Sequence, residues 1–261
     1  MTILDEILAH KREELAAARA AVPLADMRRM AADQPPARAF QQALEGTGLA
    51  VIAEVKRRSP SAGVIRAQAE PAAVAAVYEA AGASAVSVLT DAQYFGGSAD
   101  DLRAVRRQVG LPVLRKDFTL DAYQLWEARA MGADAILLIV RALPPSLLSD
   151  LIGLAGEMGM CALVEVHEER EADAAVAAGA SVIGINNRDL SRMATDLTTT
   201  ERVRPCIPLG HLVVSESGIS SRTHVERVLA VGVDAILVGE ALMAAGDPAA
   251  ALRALRNEQA A

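Results

Sequence analysis

Short apolar segments recur along the whole chain. They are rich in Val, Ile and Leu, are about as long as a β-strand, and are almost continuously hydrophobic, which is typical of parallel strands covered on both faces. The predicted strands are residues 49–55, 85–89, 112–114, 135–140, 162–166, 182–185, 212–214 and 235–238. Alanine-rich segments with helical spacing lie between them, at residues 71–82, 99–109, 121–132, 145–158, 168–179 and 221–232.

A local pattern of glycine, short polar turn and strand appears four times, at Gly82, Gly132, Gly179 and Gly232. Each glycine ends a predicted helix, where a left-handed cap is common. The pattern recurs roughly every 50 residues, which corresponds to two strand–helix units per repeat. Eight such units predict an α/β fold, a closed (β/α)8 TIM barrel. An open doubly wound sheet is the alternative, and it is disfavoured because no strand is followed by a GxGxxG turn.

The first part of the chain precedes the first predicted strand. Leu4, Ile7, Leu8 and Leu15 fall on one helical face, with charged residues nearby, so we expect an amphipathic helix packed on the barrel. Barrels of ~250 residues commonly form one domain. We therefore expect a single domain over residues 1–261, with residues 1–48 as an N-terminal helical extension.

Composition excludes several classes of function. The chain is 52% hydrophobic with a formal net charge of −7 and 3% aromatic residues, so it lacks the positive charge and stacking platforms of a nucleic-acid binder. Cys161, Cys206 and the four histidines show no disulfide or metal-ligand spacing, so we expect no metal. No apolar run approaches the ~18 residues that span a membrane. The first ten residues do not resemble a signal peptide, and a cytoplasmic location with no membrane partner is expected.

Ionisable residues stand at the ends of the predicted strands, where barrel enzymes form their active sites. Glu54 and Lys56 share a face of the first strand by its two-residue period. Other strands end in Lys116, Glu165, Asn186, Glu216 and Glu240. A single charge at such a position is usually the start of a solvated loop. Recurrence on several strands favours an acid–base site, and burial should bring lysine and glutamate pKa values toward neutrality.

Two further features suggest an anion site with a mobile cover. Ser217-Gly218-Ile219 leads into a predicted helix near Ser220, and Gly239 directly follows the last strand. Backbone amides at such turns bind phosphate, although a simple tight turn is the alternative. The loop at residues 57–63 combines basic charge, hydroxyls and a glycine, which fits a lid or merely a solvated loop.

These motifs resemble the indole-3-glycerol phosphate synthases, the tryptophan-pathway enzymes that close the indole ring. The similarity includes VIAEVKRRSPSAGVI at residues 51–65 and ILDEILAHKREEL near the N-terminus. It continues through VLTDAQYFGGS, LPVLRKDF, ALVEVHE, IGINNRDL, VVSESGIS and AILVGEALM, and so covers essentially the whole chain. The E-x-K-x-x-S-P-S element is highly specific to this family.

The resemblance implies a substrate, 1-(2-carboxyphenylamino)-1-deoxy-D-ribulose 5-phosphate, and the products indole-3-glycerol phosphate, carbon dioxide and water. It implies no metal and no organic cofactor. The partner is then a small phosphorylated molecule, with no nucleic acid and no membrane. We expect a monomer or a weak dimer, and the sequence itself defines no interface.

The resemblance also assigns catalytic roles. Lys116 would be the general acid that protonates the ketone oxygen, and Glu165 the general base or acid of dehydration. Lys56, paired with Glu54, would hold the substrate carboxylate and donate a proton later. Asn186 would anchor a hydroxyl and help to fix Glu54. Which of the two lysines and two glutamates handles each proton stays open.

The remaining site residues are implied as lining. Arg188 would orient the rim, and Ser61, Glu216, Ser217 and Leu237 would line the reacting centre. The phosphate would lie among Ser59, Gly218, Gly239 and Glu240, and the anthranilate ring in an apolar slot of Pro60, Phe95 and Phe118.

The chain departs from the family pattern at Ala62, where many bacterial members have lysine. Arg57, Arg58 or Arg66 is expected to supply that charge. Two rivals remain. A phosphoribosylanthranilate isomerase would use a cysteine–aspartate pair, and the first strand has no cysteine. A catalytically silent barrel would predict loss of Lys116, Glu165 or Lys56, and all three are present.

Overall fold

The computed structural model describes residues 2–46, 48–189 and 194–257. In these residues a closed barrel of parallel strands runs β1 to β8 in chain order, with β8 pairing back to β1. The strands are β1 Ala50–Val55, β2 Ala85–Leu89, β3 Val113–Lys116, β4 Ala135–Ile139, β5 Cys161–Val166, β6 Val182–Asn186, β7 Leu212–Glu216 and β8 Ala235–Val238. The predicted (β/α)8 TIM barrel is confirmed, and every predicted strand has its counterpart.

Helices surround the barrel. They are α1 Ile3–Ala21, α2 Leu24–Ala32, α3 Phe40–Leu44, α4 Pro71–Ala80, α5 Ala99–Gln108, α6 Ala122–Met131, α7 Pro145–Glu157, α8 Glu169–Ala177, α9 Thr198–Val203, α10 Arg222–Leu229, α11 Glu240–Ala244 and α12 Pro248–Arg256. Short 3-10 turns cover Val140–Ala142 and Arg204–Cys206. Two-residue pairings join Arg58–Ser59 to Gly63–Val64 and Arg188–Asp189 to Ala194–Thr195. Leu190, the last residue of the IGINNRDL motif, lies outside the described residues.

The repeated glycine pattern has a conformational cause. Gly82, Gly132, Gly179 and Gly232 have φ values of 87°, 89°, 87° and 85°, the left-handed region in which a Cβ is strained. Each one turns the chain from the end of a helix back toward the next strand. The sequence pattern therefore marks the turns that set the spacing of the barrel.

Side chains of the strands alternate between two cores. Outward residues such as Val51 and Ile136 pack under the helices, and inward residues such as Ile52 and Leu163 fill the barrel. This alternation decides which ionisable groups reach the interior. The strand β3 extends past its predicted end at residue 114 and includes Lys116.

Helix α1 of the N-terminal extension packs against the carboxyl end of the barrel, and the segment with Arg38 and Phe40 lies at the amino end. Helix α1 begins at a capping box, in which Thr2 and Asp5 exchange side-chain and backbone hydrogen bonds of 2.8 and 3.2 Å. Ile7 and Leu8 are buried in the same cluster as Phe118. No helix within the described ranges is both long and apolar enough to cross a membrane.

Candidate active site

Two adjoining cavities open at the carboxyl ends of the strands, and every site residue predicted from the sequence lines one of them. The first is lined by the predicted residues Glu54, Lys56, Ser59, Pro60, Ser61, Phe95, Lys116, Phe118, Glu165, Asn186, Arg188, Glu216, Ser217 and Leu237. The second adds Gly218, Gly239 and Glu240. Lining residues that were not among the predicted site residues are Leu89, Asp117, Leu137, Ile139, Thr195, Ile219, Ser220, Val238, Ala241 and Ala244.

Lys116 lies between two buried carboxylates. Its Nζ is 2.9 Å from Glu165 Oε2 and 2.8 Å from Glu216 Oε2. The three side chains come from β3, β5 and β7, and each occupies an inward position of its strand. The alternation of the strands therefore brings an ammonium and two carboxylates together at the top of the barrel.

The pKa values of Lys116 and Glu165 differ from the prediction made from burial. Burial opposes the charged form of Lys116, but Glu165 and Glu216 outweigh it and raise the lysine pKa above its ordinary value. Burial would also raise the pKa of Glu165, yet the Lys116 ammonium and the His167 imidazole lower it. The prediction that burial alone moves both groups toward neutrality was wrong for Lys116 and Glu165, because ion pairing dominates.

Glu216 behaves differently from Glu165. Its burial, together with the neighbouring carboxylates of Glu165 and Glu54, raises its pKa despite the contact with Lys116. One of its oxygens, Oε1, is buried without a hydrogen-bond partner among the described residues. The site therefore contains one carboxylate that favours the ionised form and one that readily keeps a proton.

Glu54 and Lys56 form a second ion pair, 2.9 Å between Oε1 and Nζ, as their shared face on β1 predicts. Ser87 Oγ donates to Glu54 Oε2 at 3.4 Å. A Cβ at Gly239 would lie 2.4 Å from Glu54 Oε1, so only glycine leaves room for this carboxylate. The Glu216 carboxylate likewise needs a glycine beside it, because a Cβ at Gly184 would collide with its Oε1.

Asn186 and Arg188 follow β6 and organise the rim. Asn186 helps to lower the pKa of Glu165, whereas the resemblance had implied a partner in Glu54, and its Oδ1 accepts from the Arg188 backbone N–H at 3.0 Å. The Arg188 guanidinium donates to Ser61 Oγ and, at 2.9 Å, to Glu240 Oε2. Arg188 therefore ties the loop after β1 to the segment after β8.

One wall of the first cavity is apolar. The rings of Phe95 and Phe118 lie 6.1 Å apart at an interplanar angle of 40°, and Pro60 lines the same space. Phe118 is buried and Phe95 is half-buried. A flat aromatic group can pack against such an apolar wall.

The second cavity is bordered by backbone. Ser217 and Gly218 have φ values of 65° and 80°, and a Cβ at Gly218 would lie 2.7 Å from Thr195 Cγ2. Gly239 opens the short helix α11. Successive amides in such turns form an anion-binding concavity. Helix α10 begins at Arg222, two residues later than the predicted start near Ser220.

Arg57 and Arg58, in the loop after β1, bind groups outside the two cavities. Arg57 makes two hydrogen bonds to Asp101, of 2.6 and 3.0 Å, and Arg58 donates to the carbonyls of Ala92 and Gln93. Neither arrangement favours the charge-supplying role expected for them. Arg66 is exposed and stays a candidate.

The buried side-chain amide of Asn187, to which the sequence analysis gave no role, binds the end of β7 beside the site. Asn187 Nδ2 donates to Ser215 Oγ and to the carbonyls of Glu216 and Ser217 at 2.9–3.0 Å, and its Oδ1 accepts from Thr200. It therefore fixes the end of β7, on which Glu216 stands. The signal in the sequence was a second asparagine directly after Asn186.

Comparisons with known proteins find relatives along almost the whole chain. The family model described as indole-3-glycerol phosphate synthase matches residues 4–255. The indole-3-glycerol phosphate synthase of Streptomyces griseus is 50% identical over 252 residues, covering 97% of this chain and 94% of that protein. The synthase of Desulfosudis oleivorans is 47% identical over 259 residues, covering 97% and 98%.

Solved structures with the same fold are more distant in sequence. A 3-hexulose-6-phosphate synthase superimposes with a TM-score of 0.63 at 18% identity, covering 82% of this chain and 100% of that one. A thiamine phosphate pyrophosphorylase from Pyrococcus furiosus gives 0.60 at 21% identity, covering 80% and 94%. At such identities the likeness shows the barrel alone.

Proposed function

The chain belongs to the indole-3-glycerol phosphate synthase family, and from that membership we propose that it is the carboxy-lyase that converts 1-(2-carboxyphenylamino)-1-deoxy-D-ribulose 5-phosphate to indole-3-glycerol phosphate. The observation that supports this most is the position of Lys116, between Glu165 and Glu216 at the floor of a cavity with an aromatic wall. The aromatic wall of that cavity suits an anthranilate ring, and the adjoining second cavity suits a phosphate.

Ring closure requires an acid at the ketone. As the aryl carbon attacks the ketone carbon, its oxygen gains negative charge and must be protonated. An ammonium held in a fixed place stabilises that charge without reorganisation. Lys116 is the group in this role, because Glu165 and Glu216 hold its ammonium in a fixed place at the floor of the cavity.

Decarboxylation and dehydration follow. The bond between the carboxylate carbon and the ring breaks, and carbon dioxide departs. The electron pair of that bond stays on the ring and neutralises the iminium formed by ring closure. The hydroxyl then departs as water, which requires an acid at the oxygen and a base at the proton lost from the ring. Glu165, whose pKa is lowered, is the base, and the acid is Lys116 or Lys56.

The remaining residues position the substrate. Lys56, which is paired with Glu54, meets the anthranilate carboxylate. Phe95, Phe118 and Pro60 enclose the ring. The amides around Gly218 and Gly239, with Ser59, bind the phosphate. Asn186 and Arg188 align the sugar hydroxyls and the loop after β1.

The test is turnover with a full balance of products. Purified protein is mixed with the carboxyphenylamino-deoxyribulose phosphate in EDTA, and indole fluorescence and released carbon dioxide are measured together. Equal amounts of both products support the synthase. A folded protein that isomerises the ligand without releasing carbon dioxide contradicts it, and so does one that binds the ligand without turnover, as a silent barrel would.

A further inference from the structure

His167 lies between two buried carboxylates, just behind the candidate active site. Its Nε2 is 3.4 Å from Glu165 Oε1, and its Nδ1 is 3.3 Å from Glu171 Oε2. The His167 side chain is 8% exposed, at the turn between β5 and α8. One side of the ring therefore faces the helix start and the other faces the site.

The Glu171 side of this arrangement has a structural explanation. Glu171 Oε2 accepts from the His167 backbone N–H at 2.6 Å, and its Oε1 accepts from Arg141 Nε at 2.9 Å. A carboxylate in the first turn that accepts from a backbone amide ahead of it is a common device for starting a helix. The Nε2 side of the ring contributes nothing to this cap.

The Glu165 side has no such explanation. Glu165 Oε2 is bound by Lys116, so His167 meets the opposite oxygen and the carboxylate is held from both sides. The charged or titratable groups around Glu165 are Lys116 on β3, Glu216 on β7 and His167 on its own strand end. Asn186 also favours the ionised form of Glu165, and the contact of His167 with Oε1 adds a restraint against rotation of a carboxylate whose other oxygen is bound by Lys116.

We propose that His167 is a positioning residue of the reaction, which acts through Glu165 by holding its Oε1 and keeping the carboxylate directed into the pocket. The inference rests on the proposed function, because Glu165 must be the base for its orientation to matter. His167 also favours the ionised form of Glu165 and lowers its pKa, after burial and Lys116 have made their larger and opposing contributions.

Two substitutions separate the two sides of the ring. In His167→Gln the amide nitrogen takes the place of Nε2, so a donor toward Glu165 remains while the ring contact to Glu171 is lost. In His167→Asn the amide nitrogen takes the place of Nδ1, so the contact to Glu171 remains and Glu165 Oε1 loses its contact with Nε2. His211→Gln is the matched control, since that ring bonds a backbone carbonyl, Ala180, at the opposite end of the barrel.

The measurement is kcat and KM against pH, with thermal unfolding of each variant. For His167→Asn we expect kcat about 10-fold lower, the size that one polar contact to a charged group supplies. KM should change little, and the acid limb of the kcat profile should move to higher pH, because Glu165 protonates more easily. His167→Gln should retain most of the wild-type kcat, and His211→Gln all of it.

If His167 only stabilises the start of α8, the kinetic results differ from those expected above. Unchanged kcat and pH profile in His167→Asn would overturn the proposal. So would equal kcat losses in both variants that follow their losses in thermal stability. If the wild-type protein makes no indole product, the proposed function itself fails, and that result is distinct from either outcome for His167.

Discussion

Lys11 Nζ lies 2.9 Å from Asp117 Oδ1, which joins the first helix of the chain to the residue directly after Lys116. The same Nζ is 3.0 Å from Asp91 Oδ2, in the loop after β2 that contains Phe95. Lys11 is 4% exposed although it is a lysine on a surface helix. The N-terminal helix is therefore bound by charge to the ends of two strands that carry parts of the site.

Replacing this lysine should lower the free energy of unfolding of the protein. In Lys11→Met the carboxylates of Asp91 and Asp117 stay buried without their shared cation, and such a loss costs about 3–5 kcal/mol. Urea denaturation should show the free energy of unfolding reduced by that amount. Arg12→Met is the control, because Arg12 is exposed on the same helix and should change stability by less than about 0.5 kcal/mol. Equal stabilities of the two variants would contradict the buried contact.

The same cluster should make stability depend on pH in the acid range. Burial raises the pKa of Asp117, but Arg115 and Lys11 outweigh it, so the folded-state pKa is below its ordinary value of 3.8. A depressed carboxylate pKa stabilises the fold at higher pH, and that contribution disappears as pH falls from about 3.8 through the folded value. Acid titrations of unfolding should show a smaller stability gap between wild type and Lys11→Met in that window. A gap that stays constant with pH would contradict this origin.

Gly184 should be indispensable beside Glu216. In Gly184→Ala the new Cβ meets Glu216 Oε1 and lies 3.2 Å from Leu163 Cδ1, so the carboxylate must move away from Lys116. We expect a stability loss of about 1–3 kcal/mol from overpacking and a clear loss of kcat. Gly153→Ala in α7 is the control, since nothing lies within 4 Å of its Cβ. Full activity of Gly184→Ala would show that the site tolerates a displaced Glu216.

The aromatic wall should act on binding. Phe95→Ala removes one side of the slot, and because Phe95 is half-buried the fold should lose little. We expect KM to rise about 10-fold, the effect of losing a well-packed aromatic contact, with a smaller change in kcat. Val64→Ala, an exposed position in the loop after β1, should leave KM unchanged. The check is steady-state kinetics of both variants, and an unchanged KM in Phe95→Ala would place the ring elsewhere.

Much of the barrel and of its rim could be predicted from local patterns. The two-residue period of a strand places Glu54 beside Lys56, and the repeated glycine turns at Gly82 and Gly132 set the strand spacing. Both signals lie within a few residues of their effect. That closeness in sequence is why they could be recognised without the structure.

Contacts between distant parts of the chain could not be predicted in this way. Lys11 shares the apolar helical face, but its partners Asp91 and Asp117 follow two strands much later in the sequence. The predicted direction of the Glu165 pKa shift was wrong. The burial of Glu165 could be inferred from the apolar strand, but the opposing effect of the neighbouring Lys116 ammonium could not be compared with it. Pairing of charges is a property of the closed barrel and not of any one segment.

The claim that Lys116 protonates the ketone is tested most directly by Lys116→Met, assayed beside wild type for indole fluorescence in EDTA. The variant must first be shown to be folded and to bind the substrate. The account predicts that wild type turns over and that kcat of the variant falls by about 10²–10⁴-fold, the contribution of a general acid. A kcat within a few fold of wild type would contradict the assignment of Lys116 as the acid.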